Sequence, residues 1–191
     1  MFMNRPGLKI VAPSTAYDAK GLLKAAIRDD DPVIYIEHKF LYRRVKEELP
    51  AEDYIVPIGK ANVRRKGKDL TILTWGAMVY VAEDAANDLA KDGVSTEVID
   101  LRSILPFDEE AILESVAKTN RVIILHEAPL TGGAGAEFAA RIAEKAFDYL
   151  DAPIKRVAAL DIPTPYSPPL EAFALPDKTK LLAAAREVLE Y

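Results

Sequence analysis

The sequence predicts an α/β fold: an open, mostly parallel sheet preceded by a smaller β-α-β unit. Three observations predict it. Apolar, strand-length runs alternate with amphipathic, helix-length runs over nearly all of the 191 residues. Strands separated by helices of this length pair in parallel through right-handed crossovers. Apolar residues make up 50% of the chain, which is enough for an ordinary packed core.

Leu8 to Ala12 reads as a short buried strand. Thr15 and Asp18 have the spacing of a helix N-cap and its return partner. The helix from Ala16 to Arg28 then places Ala19, Leu22, Leu23, Ala26 and Ile27 on one face. Pro32 ends it at Asp29-Asp30-Asp31, because a residue before proline is pushed out of the α region. Val33 to Glu37 is the next strand. Residues 38–58 are charged and punctuated by proline, as a linker between two units would be. Residues 59–69 fit a short hairpin, with Arg64-Arg65-Lys66-Gly67-Lys68 as its solvated turn. From Leu70 the alternation is regular: strands at 70–75, 95–99, 121–126 and 154–160, helices at 77–91, 108–118, 134–149 and 177–190. Five prolines between Asp161 and Pro176 predict an extended surface loop. The first unit, residues 6–37, is too small to bury a core alone and begins abruptly, as a truncated domain would.

Composition narrows the function. Thirty acidic against twenty-five basic residues, a formal charge of -5, argues against a nucleic-acid surface. The absence of cysteine excludes disulfides, thiolate metal sites and a cysteine nucleophile. No apolar stretch approaches the ~20 residues that span a bilayer, and Met1-Phe2-Met3-Asn4-Arg5 does not read as a signal peptide. The expectation is a soluble protein with no membrane or nucleic-acid partner, cytoplasmic, or in the mitochondrial matrix of a eukaryote. Two histidines, His38 and His126, give a catalytic zinc site little support.

Four local patterns carry candidate chemistry. The run Leu130-Thr131-Gly132-Gly133-Ala134-Gly135-Ala136-Glu137 follows a strand and opens a helix, where backbone N–H groups can hold a phosphate. It is not G-x-G-x-x-G, and the preferred reading is close packing of a helix on a neighbour or a partner subunit. His126-Glu127 ends an apolar strand, and adjacent strand residues face apart. A hydrogen-bonded interface histidine is preferred there over a general base. Asp100 and Arg102, two apart on a strand, fit a structural ion pair. Three carboxylates at Asp29, Asp30 and Asp31 oppose the dipole of the helix they end. Spacing alone favours a solvated acidic turn there over a cation site.

These stretches, in order, resemble one family. Pro6-Gly7-Leu8-Lys9-Ile10-Val11-Ala12-Pro13-Ser14-Thr15 and Asp18-Ala19-Lys20-Gly21-Leu22-Leu23-Lys24-Ala25-Ala26-Ile27-Arg28-Asp29 are similar to the second half of the pyrimidine-binding domain of thiamine-diphosphate-dependent 2-oxo acid dehydrogenase beta subunits. Glu37-His38-Lys39 with Leu41-Tyr42-Arg43 resembles that domain's exit. Asp100-Leu101-Arg102-Ser103-Ile104-Leu105-Pro106-Phe107-Asp108, then His126-Glu127-Ala128 and the glycine run, resemble the transketolase C-terminal domain. The resemblance implies a remnant of the pyrimidine-binding domain at 1–43, a linker at 44–58 and a transketolase C-terminal-like domain at 59–191.

In that family the complete enzyme decarboxylates pyruvate or a branched-chain 2-oxo acid and passes the acyl group to a lipoyl arm. The resemblance implies thiamine diphosphate and magnesium held between this subunit and an alpha subunit. The family's activating glutamate and active-site histidine belong upstream of the pattern at Pro6, so no catalytic or cofactor-binding residue is carried onto this chain. Alone, it is expected to be inactive and to serve dimerisation and docking. Potassium ligands are carried over to Ala26, Ile27, Asp29 and Asp31, with further ligands upstream. Self-association is expected through the C-terminal domain, with Gly132, Gly133 and Gly135 at the contact. An acyltransferase component is expected to dock there too, on the terminal carboxylate of Tyr191 and on Asp161. The alternatives are another thiamine enzyme, of transketolase or deoxyxylulose phosphate synthase type, and a free-standing, non-catalytic binding module.

Overall fold

A computed structural model describes residues 2–191. The first unit contains β1 (Lys9–Val11), α1 (Ala16–Ile27) and β2 (Val33–Tyr35), followed by a 3-10 turn at Lys39–Leu41. The remainder runs β3 (Asn62–Arg65), β4 (Leu70–Thr74), α2 (Met78–Lys91), β5 (Thr96–Asp100), β6 (Ser103–Leu105), α3 (Glu109–Thr119), β7 (Val122–Pro129), α4 (Ala134–Lys145), a 3-10 turn at Phe147–Tyr149, β8 (Lys155–Ala159), α5 (Pro168–Ala174) and α6 (Lys178–Leu189).

Five strands form the main sheet in the order β3-β5-β4-β7-β8. All neighbours are parallel except β3, which runs antiparallel to β5. Strands covered on both faces read as continuous apolar runs, as in Leu70-Thr71-Ile72-Leu73-Thr74, all buried. Successive side chains divide between two cores. Ile72, Val98, Ile123 and Leu125 pack with α2 and α6, while Leu73, Ile99 and Ile124 pack with α3 and α4. The predicted open α/β sheet is therefore what forms.

A second sheet has the order β2-β1-β6. β6, which lies between β5 and α3 in the chain, pairs antiparallel with β1. It supplies a partner that the first unit lacks when read alone. Ile10 and Ala12 of the first unit are buried in the same core as Leu101, Ile104 and Phe138. Residues 44–58 strap across α1 on its other side. Tyr54 stacks on Tyr17 with ring centroids 4.4 Å apart, and Asp53 pairs with Lys24 and with Arg28, the latter at 2.9 Å. Val56 packs on Leu22 and Val11. The strap approaches so closely that a Cβ on Gly21 would meet Val56 Cγ2 at 2.5 Å, so only glycine fits beneath it.

Four expectations need correction. Residues 59–69 are not a hairpin: β3 pairs with β5, and β5 lies between β3 and β4. The basic run is not a solvated turn, because Arg64 Nε donates to Glu83 Oε1 (2.9 Å) and Arg65 Nη1 to Asn87 Oδ1 (2.6 Å) on α2. The helix expected to reach residue 149 ends at Lys145, before a 3-10 turn. The proline-rich segment is not wholly extended. Pro168 and Pro169 open α5, at positions where a missing N–H costs nothing and a fixed φ suits the helix. Among the described residues, no helix is long and apolar enough to cross a membrane.

Candidate functional site

The strand order reverses at β4: β5 lies on one side of it and β7 on the other. Open α/β sheets take ligands outside the carboxyl ends of strands at such a point. Leu73 and Ile124 are register partners. Two residues on, Trp75 and His126 therefore meet on the same face. Their rings stack with centroids 5.5 Å apart and planes 14° from parallel. Phe138 of α4 meets Trp75 edge-on at 5.7 Å.

His126 is 1% exposed. Among the described residues, neither ring nitrogen has a side-chain hydrogen-bond partner. Burial holds its imidazole below the usual histidine range, which keeps it neutral. The ring is buried and packed on tryptophan, and the Ala128 backbone is the polar group beside it. The glycine run explains how it fits. A Cβ on Gly133 would lie 2.6 Å from His126 Cε1, and a Cβ on Gly135 would lie 2.6 Å from Cδ2 and Nε2. These two glycines let the first turn of α4 close on a histidine of the same chain. Gly132 has φ +72° and no atom near its Cβ position. It is the turn residue, where the left-handed region favours glycine.

Glu127 faces the other way, as adjacent strand residues should. Its Oε2 lies 2.7 Å from His38 Nε2. The sequence reading missed this pair, which ties the exit of the first unit to β7.

A second cluster lies at the carboxyl end of β5. Asp18 and Asp100 are both buried, at 1% and 0% exposure. The expected Asp100–Arg102 side-chain pair does not form. Arg102 has φ +55°, so the chain turns between β5 and β6 and the two residues no longer share a strand face. Asp100 Oδ1 accepts from the Arg102 main-chain N–H at 3.0 Å, while Ser14 Oγ donates to Oδ2. The Arg102 guanidinium instead donates to Asp18 Oδ1 (2.8 Å) and to the carbonyls of Lys60 (3.2 Å) and Ala61 (2.9 Å). Asp18 closes the predicted cap: its N–H donates to Thr15 Oγ1 at 3.0 Å. Burial pushes the Asp100 carboxyl up to about 7, against the opposing pull of Ser14 and the Arg102 N–H.

The remaining candidates are separate. At the end of α1, Lys9 Nζ lies 2.7 Å from Asp29 Oδ1 and 3.1 Å from Asp31 Oδ2. The ammonium holds the Asp29 carboxyl below its usual range. Among the described residues, no N–H outside the helix donates to the carbonyls of Ala26 or Ile27. The carboxylates of Asp29 and Asp31 are paired with Lys9. Among the described residues, no group of three or more histidine or acidic side chains is arranged to hold a metal. Asp161 accepts from the Thr131 N–H (2.9 Å) and hydroxyl (2.6 Å), bonds that hold its carboxyl below the usual range. Tyr191 is 67% exposed.

Comparison with known proteins gives one consistent result. The family described as "Transketolase, C-terminal domain" matches residues 59–181, and "Transketolase, pyrimidine binding domain" matches residues 1–45. The chain is similar to 2-oxoisovalerate dehydrogenase subunit beta of Bacillus subtilis, at 52% identity over 192 residues, covering 100% of this chain and 59% of the relative. Its similarity to the pyruvate dehydrogenase E1 component subunit beta of Bacillus subtilis is 49% over 187 residues, covering 98% and 57%. With the mitochondrial 2-oxoisovalerate dehydrogenase subunit beta 2 of Arabidopsis thaliana it shares 45% over 190 residues, covering 100% and 52%. The chain thus spans little more than half the length of these relatives. A solved structure described as a split gene transketolase, inactive beta4 tetramer, superimposes with TM-score 0.82 at 26% identity, over 99% of this chain and 59% of that one.

Proposed function

The chain belongs to the transketolase C-terminal domain family, with a portion of the pyrimidine-binding domain ahead of it, and from that premise we propose that it is the C-terminal part of a 2-oxo acid dehydrogenase beta subunit. One observation carries the reading: 52% identity to such a subunit over the entire chain. The likeness to a split gene transketolase is lower, at 26%, which favours the dehydrogenase over the transketolase alternative. The complete enzyme would decarboxylate pyruvate or a branched-chain 2-oxo acid with thiamine diphosphate and magnesium, in the cytoplasm or the mitochondrial matrix. The cofactor supplies the stabilised carbanion when bound. This chain contributes none of the groups that activate it.

In this reading residues 1–43 close the pyrimidine-binding domain, 44–58 connect, and 59–191 form the contact domain. The alpha subunit, a second beta subunit and an acyltransferase component are its partners. Gly132 lies at the beta–beta contact, with Gly133 and Gly135 shaping the helix that reaches it. Tyr191 and Asp161 lie at the acyltransferase contact, where complementary charge would set encounter rate and choice of partner. Potassium contact at Ala26, Ile27, Asp29 and Asp31 is confined to the complete subunit, where Lys9 would have to release the carboxylates.

Purified residues 1–191 test the reading in one preparation. The expected result is a dimer in sedimentation at micromolar concentration, with no thiamine-dependent decarboxylation of a 2-oxo acid. Measurable turnover contradicts the reading, and a strict monomer removes self-association from it.

A further inference from the structure

The first unit and the main sheet meet at a buried carboxyl group that lacks a cation of its own. Asp100 is fully buried at the end of β5 and receives Ser14 Oγ from the loop before α1. Ser14 is held in turn, since its carbonyl accepts from the Tyr80 hydroxyl of α2 at 2.8 Å. Four charged or titratable groups face Asp100 from the elements around it: Asp18 of α1, Arg102 of the β5–β6 turn, Arg64 of β3 and Tyr80 of α2. Neither arginine is free for it. Arg102 is committed to Asp18 and two carbonyls, and Arg64 to Glu83 at 2.9 Å.

We propose that Asp100 and Ser14 form a proton-operated latch, in which protonated Asp100 holds the first unit on the main sheet and loss of the proton loosens it. As a carboxylic acid, Asp100 brings no charge into the seam and still accepts from Ser14 Oγ and the Arg102 N–H. As a carboxylate, it becomes a second buried negative charge near Asp18, with the Arg102 guanidinium already committed to Asp18. Opening the seam admits water and removes that cost. The closed seam thus binds the proton more tightly than the open one, with titration at about 7 instead of the ordinary 3.8. The latch is at full strength below the ordinary value, weakens as pH rises through the window, and stays weak above about 7.

Hydrogen exchange of β1 and α1 amides in the 191-residue chain, corrected for intrinsic rates and referenced to β4, reads the opening directly. His38 and Glu127, 2.7 Å apart, also join the two units. The series therefore uses a His38→Gln background. The opening constant is expected to rise about tenfold per pH unit between pH 5 and 6.5 and to level off near 7. Asp100→Asn should flatten the profile. A flat profile with Asp100 present overturns the proposal, and so does a slope that survives Asp100→Asn. If that variant does not fold, carboxyl-carbon NMR of Asp100 replaces it. A midpoint coinciding with the levelling of the exchange profile supports the latch, and an ordinary aspartate midpoint overturns it.

Discussion

Arg102→Ala is expected to destabilise the protein by about 3–5 kcal/mol, the usual cost of breaking a buried ion pair from one side. The Arg102 side chain is 13% exposed and that of Asp18 is 2% exposed. Removing the guanidinium strands the Asp18 carboxylate and leaves the carbonyls of Lys60 and Ala61 without their donor. Arg102→Lys should recover little, because one ammonium cannot reproduce a planar fork that reaches three acceptors. Adding Asp18→Asn to Arg102→Ala should restore part of the loss by removing the stranded charge. The urea midpoint is the readout. A shift worth less than about 1 kcal/mol would place the pair among exposed bridges of little consequence.

Phe138→Ala is expected to cost about 3–5 kcal/mol, as for other fully buried aromatic rings. Phe138 is 0% exposed. It meets Phe107 edge-on at 5.1 Å and Trp75 at 5.7 Å. Its loss opens a cavity beneath the tryptophan that carries His126, and removes two favourable ring contacts. Trp75 is the sole tryptophan, so its emission reports this site alone. A red shift in the native baseline should accompany the lower stability. Unchanged emission with a loss under about 1 kcal/mol would mean that the ring does not support the Trp75–His126 stack.

The parts of this fold set by local pattern were legible from sequence. The Thr15 cap, the stop before Pro32 and the four strands from Leu70 onward depend on neighbours within a few residues. The structure places them within a residue or two of expectation, except that β7 runs on to Pro129. The parts set by distant pairing were not. β6 is three residues long and exists because β1, over ninety positions earlier, offers it an edge. Asp100 and Arg102 looked like strand neighbours until a left-handed residue turned the chain between them. The partner of Arg102 is then Asp18, eighty-four positions away. The glycine run was read as a close-packing turn, and Gly133 and Gly135 do pack closely. Their neighbour, His126, was visible in the sequence, but its fit beneath them was not. A signal for the Trp75–His126 stack was available: both residues follow paired apolar strands at the same distance from a register pair. The acidic turn after α1 was read without Lys9, because the lysine arrives from β1 twenty positions earlier.

The most direct measurement is thiamine-diphosphate-dependent decarboxylation of pyruvate and of branched-chain 2-oxo acids by a full-length beta subunit that carries residues 1–191 as its C-terminal part, purified together with an alpha subunit. A C-terminal part of a dehydrogenase beta subunit predicts turnover of at least one of these acids by the complete pair, and none when residues 1–191 replace the full-length subunit. Turnover by the short chain, or a full-length pair that assembles with bound cofactor and decarboxylates none of these acids, would contradict it.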